Sequence, residues 1–334
     1  MSLRFSKIWL HTKCKQRLYS TRPSSFELND YCILRDRRKG QKYFVGPLQA
    51  EGKLFISKGV VNHSDIISRL PRSVIYTHNE AASLTVHFPT LDDYVLNVRR
   101  ACTPIYPKDA ATIVQFLDLE RGDKVLEAGT GNGSLTLYLA RAIAGSKRID
   151  LPSAEVPQGR IDTFDIREPH SRQAKLNVTG FARGSYRDTV NFHIGKLSET
   201  LQTVLSDEIG GDYYDGAVLD MPEPHHELEM VVKYLKNDRF LVCYLPNITQ
   251  VVDLLRHIKL NNVPLAMDDC VDVQIQEWEV RGTIIRGTSD QTAQANNLAT
   301  NPAAWVCRPK NFDVKGHTAY LVKLRKVINI DPMS

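Results

Sequence analysis

The sequence predicts an α/β chain: a doubly wound, mostly parallel sheet preceded by a small N-terminal β domain. Two observations carry that prediction. From residue 124 to residue 260, short apolar runs alternate with segments whose apolar residues recur every three or four positions, the pattern of strands covered by helices on both faces. Before them, residues 31–98 hold short β-rich runs separated by turn clusters such as RRKGQ and AEGK, which read as hairpins of a small sheet or barrel. At 334 residues, 42% hydrophobic and 24% charged, the chain can bury one large or two smaller cores, and disorder is not expected. No window approaches the roughly 18 apolar residues of a membrane span.

The first element is a leader. Residues 1–26 carry Arg4, Lys7, Lys13, Lys15, Arg17 and Arg22, with no acid before Glu27 and with frequent Ser and Thr, the composition of a mitochondrial transit peptide. Arg17, two residues before Tyr19 in RLYSTRP, resembles a matrix-protease site, so the expected localisation is the mitochondrial matrix. Loss of residues 1–19 removes five basic groups and takes the formal charge from +5 to near zero, so any nucleic-acid footprint must be a local patch. The next segment, residues 27–100, is the small β domain, with YCIL, KYFVG, KLFIS, SVIYTH and SLTVHF as its strands.

Residues 101–334 form the second domain. PKDAATIVQFLDL, Pro107 to Leu119, reads as a helix with Pro in its first turn and Ile113, Phe116 and Leu117 on one face. Five strands follow (KVLEA, RIDTFDI, TVNFHIG, YDGAVLDM, FLVCYLP). Each precedes a helix: GSLTLYLARAIA, PHSRQAKLNV, SETLQTVLSDEI, HHELEMVVKYLK and ITQVVDLLRHIKL. The end differs. VDVQIQEWEVRGTIIR and TAYLVKLRK are long β runs with no helix between them, expected to pair as an antiparallel hairpin at the sheet edge. The polar stretch GTSDQTAQANNLATNP and residues 147–159 read as inserted loops. Six cysteines at 14, 32, 102, 243, 270 and 307 show no C-x-x-C, and the ten histidines show no ligand-spaced set, so neither a disulfide framework nor a metal site is expected.

The stretch VLEAGTGNGSLTLYLARAI, Val125 to Ile143, places Gly129-x-Gly131-x-Gly133 between a strand and a helix, where backbone and helix N-terminus can approach a ligand closely. A phosphate-cradling P-loop needs a Lys after its glycines, and none follows. The dinucleotide fingerprint needs Gly at 134, where Ser134 stands. The run E-x-G-x-G-x-G instead resembles motif I of class I S-adenosylmethionine-dependent methyltransferases. That resemblance implies a doubly wound class I methyltransferase fold, S-adenosylmethionine as cofactor, and cofactor contacts from Glu127, Gly129, Gly131, Asn132, Gly133 and Ser134. It assigns the ribose hydroxyls to the acid closing the second strand, Asp165, with Glu168 as second choice.

A resemblance to one family covers nearly all the mature chain. RDRRKGQKYFV, GVVNHSDIISRLPRSVI, PTLDDYVLNVRRACTPIYPKDAATIV, VLEAGTGNGSLTLYLARAI, LDMPEPH and GHTAYL occur in the order found in tRNA (adenine-58-N1)-methyltransferases of the catalytic-subunit type. The resemblance implies methyl transfer from S-adenosylmethionine to N1 of adenine 58 in the T-loop of a tRNA, here a mitochondrial one. Its members form homotetramers, or complexes with a non-catalytic paralogous subunit. In the family's D-[LM]-P-x-P motif the aspartate is Asp220, a carboxylate able to accept from the adenine N6 amino group, next to the cofactor. Tyr106 matches an active-site tyrosine that could pack on a flipped adenine. His317 and Thr318 match a motif near the substrate, and Lys196 stands where an acid often marks the adenine pocket of the cofactor. Arg35, Arg37, Arg38, Lys39, Arg99 and Arg100 are candidate phosphate contacts. Thr103-Pro104, Lys196, His225 and Ala319 depart from the family pattern. N1-adenine methylation of mitochondrial rRNA or mRNA, and a non-catalytic RNA-binding subunit that keeps the fold, stand as alternative functions.

Overall fold

The computed structural model describes residues 24–144, 158–205, 211–283, 304–310 and 316–327. Most of the leader, most of the expected loop at 147–159 and all of the GTSDQTAQANNLATNP loop lie outside the described residues. The chain divides into two compact units between Phe88 and Pro89.

The first unit is antiparallel. β1 (Cys32–Asp36), β2 (Lys42–Val45), β5 (Val74–Tyr76) and β6 (Ser83–His87) form a four-stranded sheet in the order β2-β1-β6-β5. β3 (Lys53–Ile56) and β4 (Gly59–Asn62) form a separate hairpin. Strand alternation sends Cys32, Leu34, Val45, Leu84 and Val86 into a core with Phe26, Leu48, Val61 and Ile66. β4 was not among the expected strands: only Ser57 and Lys58 separate it from β3, so no turn cluster marks the reversal.

In the second unit, α1 (Leu91–Asn97) opens with a capping box, Thr90 accepting from the Asp93 backbone N–H at 3.0 Å while the Asp93 carboxylate accepts from Thr90. No helix was expected here, and the first domain was drawn to Arg100. The helix belongs to the second unit because Tyr94 is fully buried there and its hydroxyl donates to the Asn177 carbonyl at 2.9 Å. α2 (Pro107–Phe116), β7 (Lys124–Ala128), α3 (Ser134–Ile143), β8 (Arg160–Asp165), α4 (Glu168–Gly180), β9 (Val190–Ile194), α5 (Leu197–Val204), β10 (Tyr214–Leu219), α6 (Leu228–Tyr234), β11 (Leu235–Leu245) and α7 (Ile248–Leu260) then follow the expected alternation. β12 (Leu265–Asp272), β13 (Trp278–Thr283), β14 (Ala304–Pro309) and β15 (Tyr320–Lys326) complete the chain.

Seven strands form one sheet in the order β12-β15-β11-β10-β7-β8-β9, parallel from β9 through β11 and antiparallel at β15 and β12. From β7 the chain winds outward through β8 and β9, then restarts at β10 on the other side. The strand order therefore reverses between β7 and β10, and the carboxyl ends of these two strands flank a crevice. Buried side chains such as Leu126, Ala217, Leu241, Leu201, Val231 and Leu254 fill the space between sheet and helices.

The edge departs from the expected hairpin. TAYLVKLRK is strand β15, but its outer partner is β12, which lies mostly before the expected run; β13 pairs instead with β14 in a separate two-stranded ribbon. LAMDDC does not read as a strand because it is an edge whose side chains from Ala266 to Cys270 are exposed, so no alternation marks it. α6 is also shorter than HHELEMVVKYLK suggested. Pro224–Glu227 forms a 3-10 turn and β11 begins already at Leu235. No helix among the described residues is long and apolar enough to cross a membrane.

Candidate active site

The glycine loop sits at the mouth of the β7/β10 crevice. Gly129, Gly131 and Gly133 all have positive φ (95°, 53° and 74°), a backbone path open to glycine and costly for other residues. A methyl group at Gly129 would collide with the backbone carbonyl of Asp220, and one at Gly133 would press on Ala174 of α4 at 3.1 Å. The glycines thus let β10 and α4 close on the loop, and Gly133 caps α3 in the left-handed conformation.

These elements surround a cavity of about 400 Å³. Gly129, Gly131 and Cys102 line one side, Asp165, Ile166 and His170 a second, and Asp220, Met221 and Tyr244 a third. Asp165 ends β8. Its Oδ2 accepts the Gly131 N–H at 3.0 Å and its Oδ1 the Arg167 N–H at 2.8 Å, so the same carboxylate fixes the loop and faces the cavity. Glu168, the second choice for the ribose, is exposed and paired with Arg172 at 2.5 Å on the surface of α4.

Asp220 follows β10 directly, its N–H bonded to the Ala128 carbonyl at 2.8 Å. Burial, and then the Asp165 carboxylate, raise it to about 7. It does not cap the following helix, whose N-cap is Glu227. Glu127 lies beneath the loop, 1% exposed, with Oε2 accepting from the Thr136 hydroxyl at 2.7 Å and Oε1 buried without a hydrogen bond. Burial raises it to about 7 against the opposing Thr136 and Thr163 hydrogen bonds, with Asp220 and Asp165 adding to the rise. Asp165 and Asp220 on the wall and Glu127 buried beneath the loop suit a cationic ligand, and the cavity suits a nucleoside joined to an amino acid in size. S-adenosylmethionine carries both features.

The remaining expected residues divide. Asn132 and Ser134 are buried but do not line the cavity. Asn132 holds the segment before α2 by accepting from Ala101 N at 2.6 Å and Cys102 N at 3.2 Å and donating to the Cys102 carbonyl, so it shapes the wall that Cys102 and Thr103 present. Lys196 is corrected: it is exposed at the N-cap of α5 and outside the lining, while its neighbours Gly195 and Leu197 reach the cavity. His225, one of the departures from the family pattern, is also outside the lining, its ring 4.2 Å from His226 and 5.3 Å from His257. Arg99 and Arg100 are exposed, the Arg99 carbonyl accepting from Asn177 at 3.1 Å and the Arg100 side chain donating to the Leu96 carbonyl.

Thr318 belongs to a buried cluster that the sequence reading treated as a helix start. Lys108 Nζ lies 3.2 Å from Asp109 Oδ1 and 2.8 Å from Thr318 Oγ1, and Thr318 donates to Asp109 Oδ2 at 2.8 Å. Lys108 also donates to the Val273 carbonyl. Asp109 is fully buried and Lys108 nearly so. Thr318 also bonds Tyr244, whose hydroxyl is pushed up by burial and by Asp109 and Asp220. Tyr106, the N-cap of α2, lies outside the lining but close enough to act electrostatically on Tyr244. Tyr244 was missed. It sits at the carboxyl end of the strand beside the one bearing Asp220, and the rule that ligands bind at carboxyl ends would have found it. His317 is exposed, its Nε2 2.9 Å from the Pro246 carbonyl and its Nδ1 3.3 Å from Asp272; these contacts, led by Pro246, raise its pKa.

Comparison with known proteins identifies the family. A family profile described as the tRNA methyltransferase complex GCD14 subunit matches residues 84–320. The chain is 39% identical over 294 residues to the tRNA (adenine(58)-N(1))-methyltransferase TrmI of Thermus thermophilus, spanning 88% of this chain and 96% of that one. Among solved structures, a SAM-dependent O-methyltransferase from Thermotoga maritima superposes with a TM-score of 0.70 at 21% identity, covering 91% of this chain and 96% of that one, a likeness of fold. The tRNA methyltransferase TrmI of Aquifex aeolicus superposes with a TM-score of 0.64 at 25% identity, covering 91% and 99%. The chain therefore belongs to the family of S-adenosylmethionine-dependent tRNA adenine-N1 methyltransferases.

Proposed function

We propose that this protein methylates N1 of adenine 58 in the T-loop of mitochondrial tRNA. The observation that carries the reading is Asp220, a carboxylate held at the carboxyl end of β10 in the same cavity as the glycine loop and Asp165. S-adenosylmethionine supplies the methyl group. Gly129 and Gly131 let the backbone lie against it, and Asp165 is placed to take its ribose hydroxyls. Adenine N1 is a weak nucleophile, so the chain must extrude the base and orient it. Asp220, when ionised, accepts from the exocyclic N6 amino group, which directs electron density toward N1 and offsets the cation formed. Tyr244, on the cavity wall, supports packing of an aromatic side chain on the extruded ring, with Tyr106 as a second candidate from outside the lining. The acid-free basic leader supports mitochondrial tRNA as the pool, with import into the matrix.

The test uses the chain from residue 20 onward with a mitochondrial tRNA pool and labelled cofactor, followed by mapping of N1-methyladenosine. Methylation at position 58, lost in Asp220→Ala, is expected. Cofactor binding without transfer to any tRNA would overturn the catalytic reading in favour of a non-catalytic RNA-binding subunit, and methylation confined to rRNA or mRNA would move the substrate.

We infer further that the chain self-associates. The β13–β14 ribbon has a charged face, where Glu279 pairs with Arg281 at 2.7 Å and Arg308 at 2.8 Å, and an apolar face bearing Trp278, Val280 and Trp305, each more than half exposed. A two-stranded ribbon has too little core to stand alone, so its apolar face gains most from a second copy. A paralogous non-catalytic subunit is the competing occupant.

A further inference from the structure

The sheet of the first unit has one face in its core and another that the catalytic reading leaves unused. Alternation puts Arg35 on that second face, and the register sets Lys42 on one side of it and Thr85 on the other. Thr85 in turn faces Val74, and Tyr76, two residues on, points the same way. Arg35, Lys42 and Arg72 are exposed, and Tyr76 is 56% exposed. His87 lies on this face as well, its Nε2 3.1 Å from the Thr85 hydroxyl. Burial, and then the cations Arg72, Arg35 and Lys42, lower its pKa, an internal sign that the three bases concentrate positive potential at one place.

The turn at the end of this face adds to it. Asp36, on the core side of β1, accepts from the Arg38 and Lys39 backbone N–H groups at 2.8 and 2.9 Å and from Lys58 at 2.6 Å. That fixes the β1–β2 turn so that Arg37, Arg38 and Lys39 gather with Arg35 around a concavity of about 480 Å³. An exposed sheet face with bases in a row and an aromatic ring beside them has the chemistry of a single-stranded RNA platform: cations for phosphates and a ring for an unstacked base. With formal charge near zero once residues 1–19 are gone, RNA affinity must come from such local concentrations.

We propose that this face of the N-terminal sheet binds RNA, with Arg35, Lys42 and Arg72 contacting backbone phosphates and Tyr76 offering its ring to an unstacked base. The proposal rests on the tRNA reading above and deepens it, because it gives RNA binding a second location in the chain, in the unit that does not carry the methyl-transfer cavity. It commits to nucleic acid and not to an acidic protein, since a protein partner would leave the exposed Tyr76 ring and the spaced cations without a polymer of phosphates to follow.

The test is direct tRNA binding without methyl donor, so that it can fail or succeed independently of catalysis. In the full chain lacking only residues 1–19, the triple variant Arg35→Gln, Lys42→Gln, Arg72→Gln is compared with wild type by fluorescence anisotropy across a salt series. Each lost phosphate contact should lower the salt slope by about 0.7–0.9, giving a slope smaller by about 2 and an affinity weaker by at least about tenfold. S-adenosylmethionine binding reports that the second unit is intact. Neutralising Arg121, Lys175 and Lys259 in the second unit is the charge-matched control and should leave the slope unchanged. An unchanged slope in the first variant, or an equal loss in the control, would overturn the proposal. Should the triple variant not fold, ultraviolet crosslinking of the wild-type chain to tRNA decides. Crosslinked peptides containing Tyr76 support the platform, and crosslinks confined to the second unit overturn it.

Discussion

At the scale of single residues, the chemistry turns on a carboxylate whose protonation depends on what faces it. Asp220 is raised to about 7 by burial and by Asp165, so near neutrality about half of it is protonated. Because this value lies above that of an unfolded aspartate, the group adds stability only while both states are protonated; the contribution is lost as pH rises from the ordinary carboxylate range to about 7. A cationic ligand reverses the balance, since it favours the ionised form. Affinity for S-adenosylmethionine should therefore tighten by roughly tenfold as pH rises from about 6 to about 8, with a shallower trend for the product S-adenosylhomocysteine, which lacks the sulfonium charge. Titration calorimetry reads this directly, and a flat profile for both ligands would remove Asp220 from cation recognition. Asp220→Asn should flatten the difference while retaining some binding. This residue was legible in the sequence because DMPEP follows an apolar strand, and so was Asp165, the acid closing the second strand. Lys196 was not, because a single helix-cap position decides whether a side chain turns into the cavity or out to solvent, and nothing local to HIGKL records that choice.

At the scale of elements, the strands and helices with strong periodicity were readable, and those that depend on a distant partner were not. From β7 through α7 each element is amphipathic or apolar in its own right, so pattern alone places it. α1 was invisible because its seven residues show only one buried turn, and the ribbon β13–β14 because its strands are distant in sequence and no local rule sets its register. The Lys108–Asp109–Thr318 cluster has the same origin: α2 contributes two of its members and the start of β15 the third, about two hundred positions away. It fastens α2 to β15 just behind Tyr244. Asp109→Ala would leave the Lys108 ammonium buried without its carboxylate and should destabilise the protein by about 3–5 kcal/mol. Thr318→Val, which removes hydrogen bonds to both charges, should cost about 1–3 kcal/mol, and Thr318→Ser should restore most of it. Chemical denaturation with S-adenosylmethionine absent measures all three. An Asp109→Ala variant within about 0.5 kcal/mol of wild type would mean that the pair contributes nothing net.

At the scale of the whole molecule, the two units divide the work of an RNA methyltransferase. The second carries the cavity lined by the glycine loop, Asp165 and Asp220, whereas the first carries an exposed basic sheet face. The β13–β14 ribbon of the second unit has an apolar face of its own. Trp278 and Val280 alternate on β13, and across the ladder they face Pro309 and Cys307, with Trp305 opposite Gly282. This is a continuous apolar strip whose other side is charged. Exposed on a lone chain, two tryptophans and a valine would be an aggregation hazard, and pairing two such strips face to face removes it. The wild-type chain should therefore sediment as an assembly of two or more copies. Trp278→Glu with Trp305→Glu should give a smaller species that still binds S-adenosylmethionine, because the ribbon contributes no residue to the cofactor cavity. Sedimentation mass and cofactor affinity are measured on the same samples. An unchanged mass in the double variant would take the ribbon out of the interface, and a wild-type monomer that assembles only with a related non-catalytic chain would assign the strip to that partner.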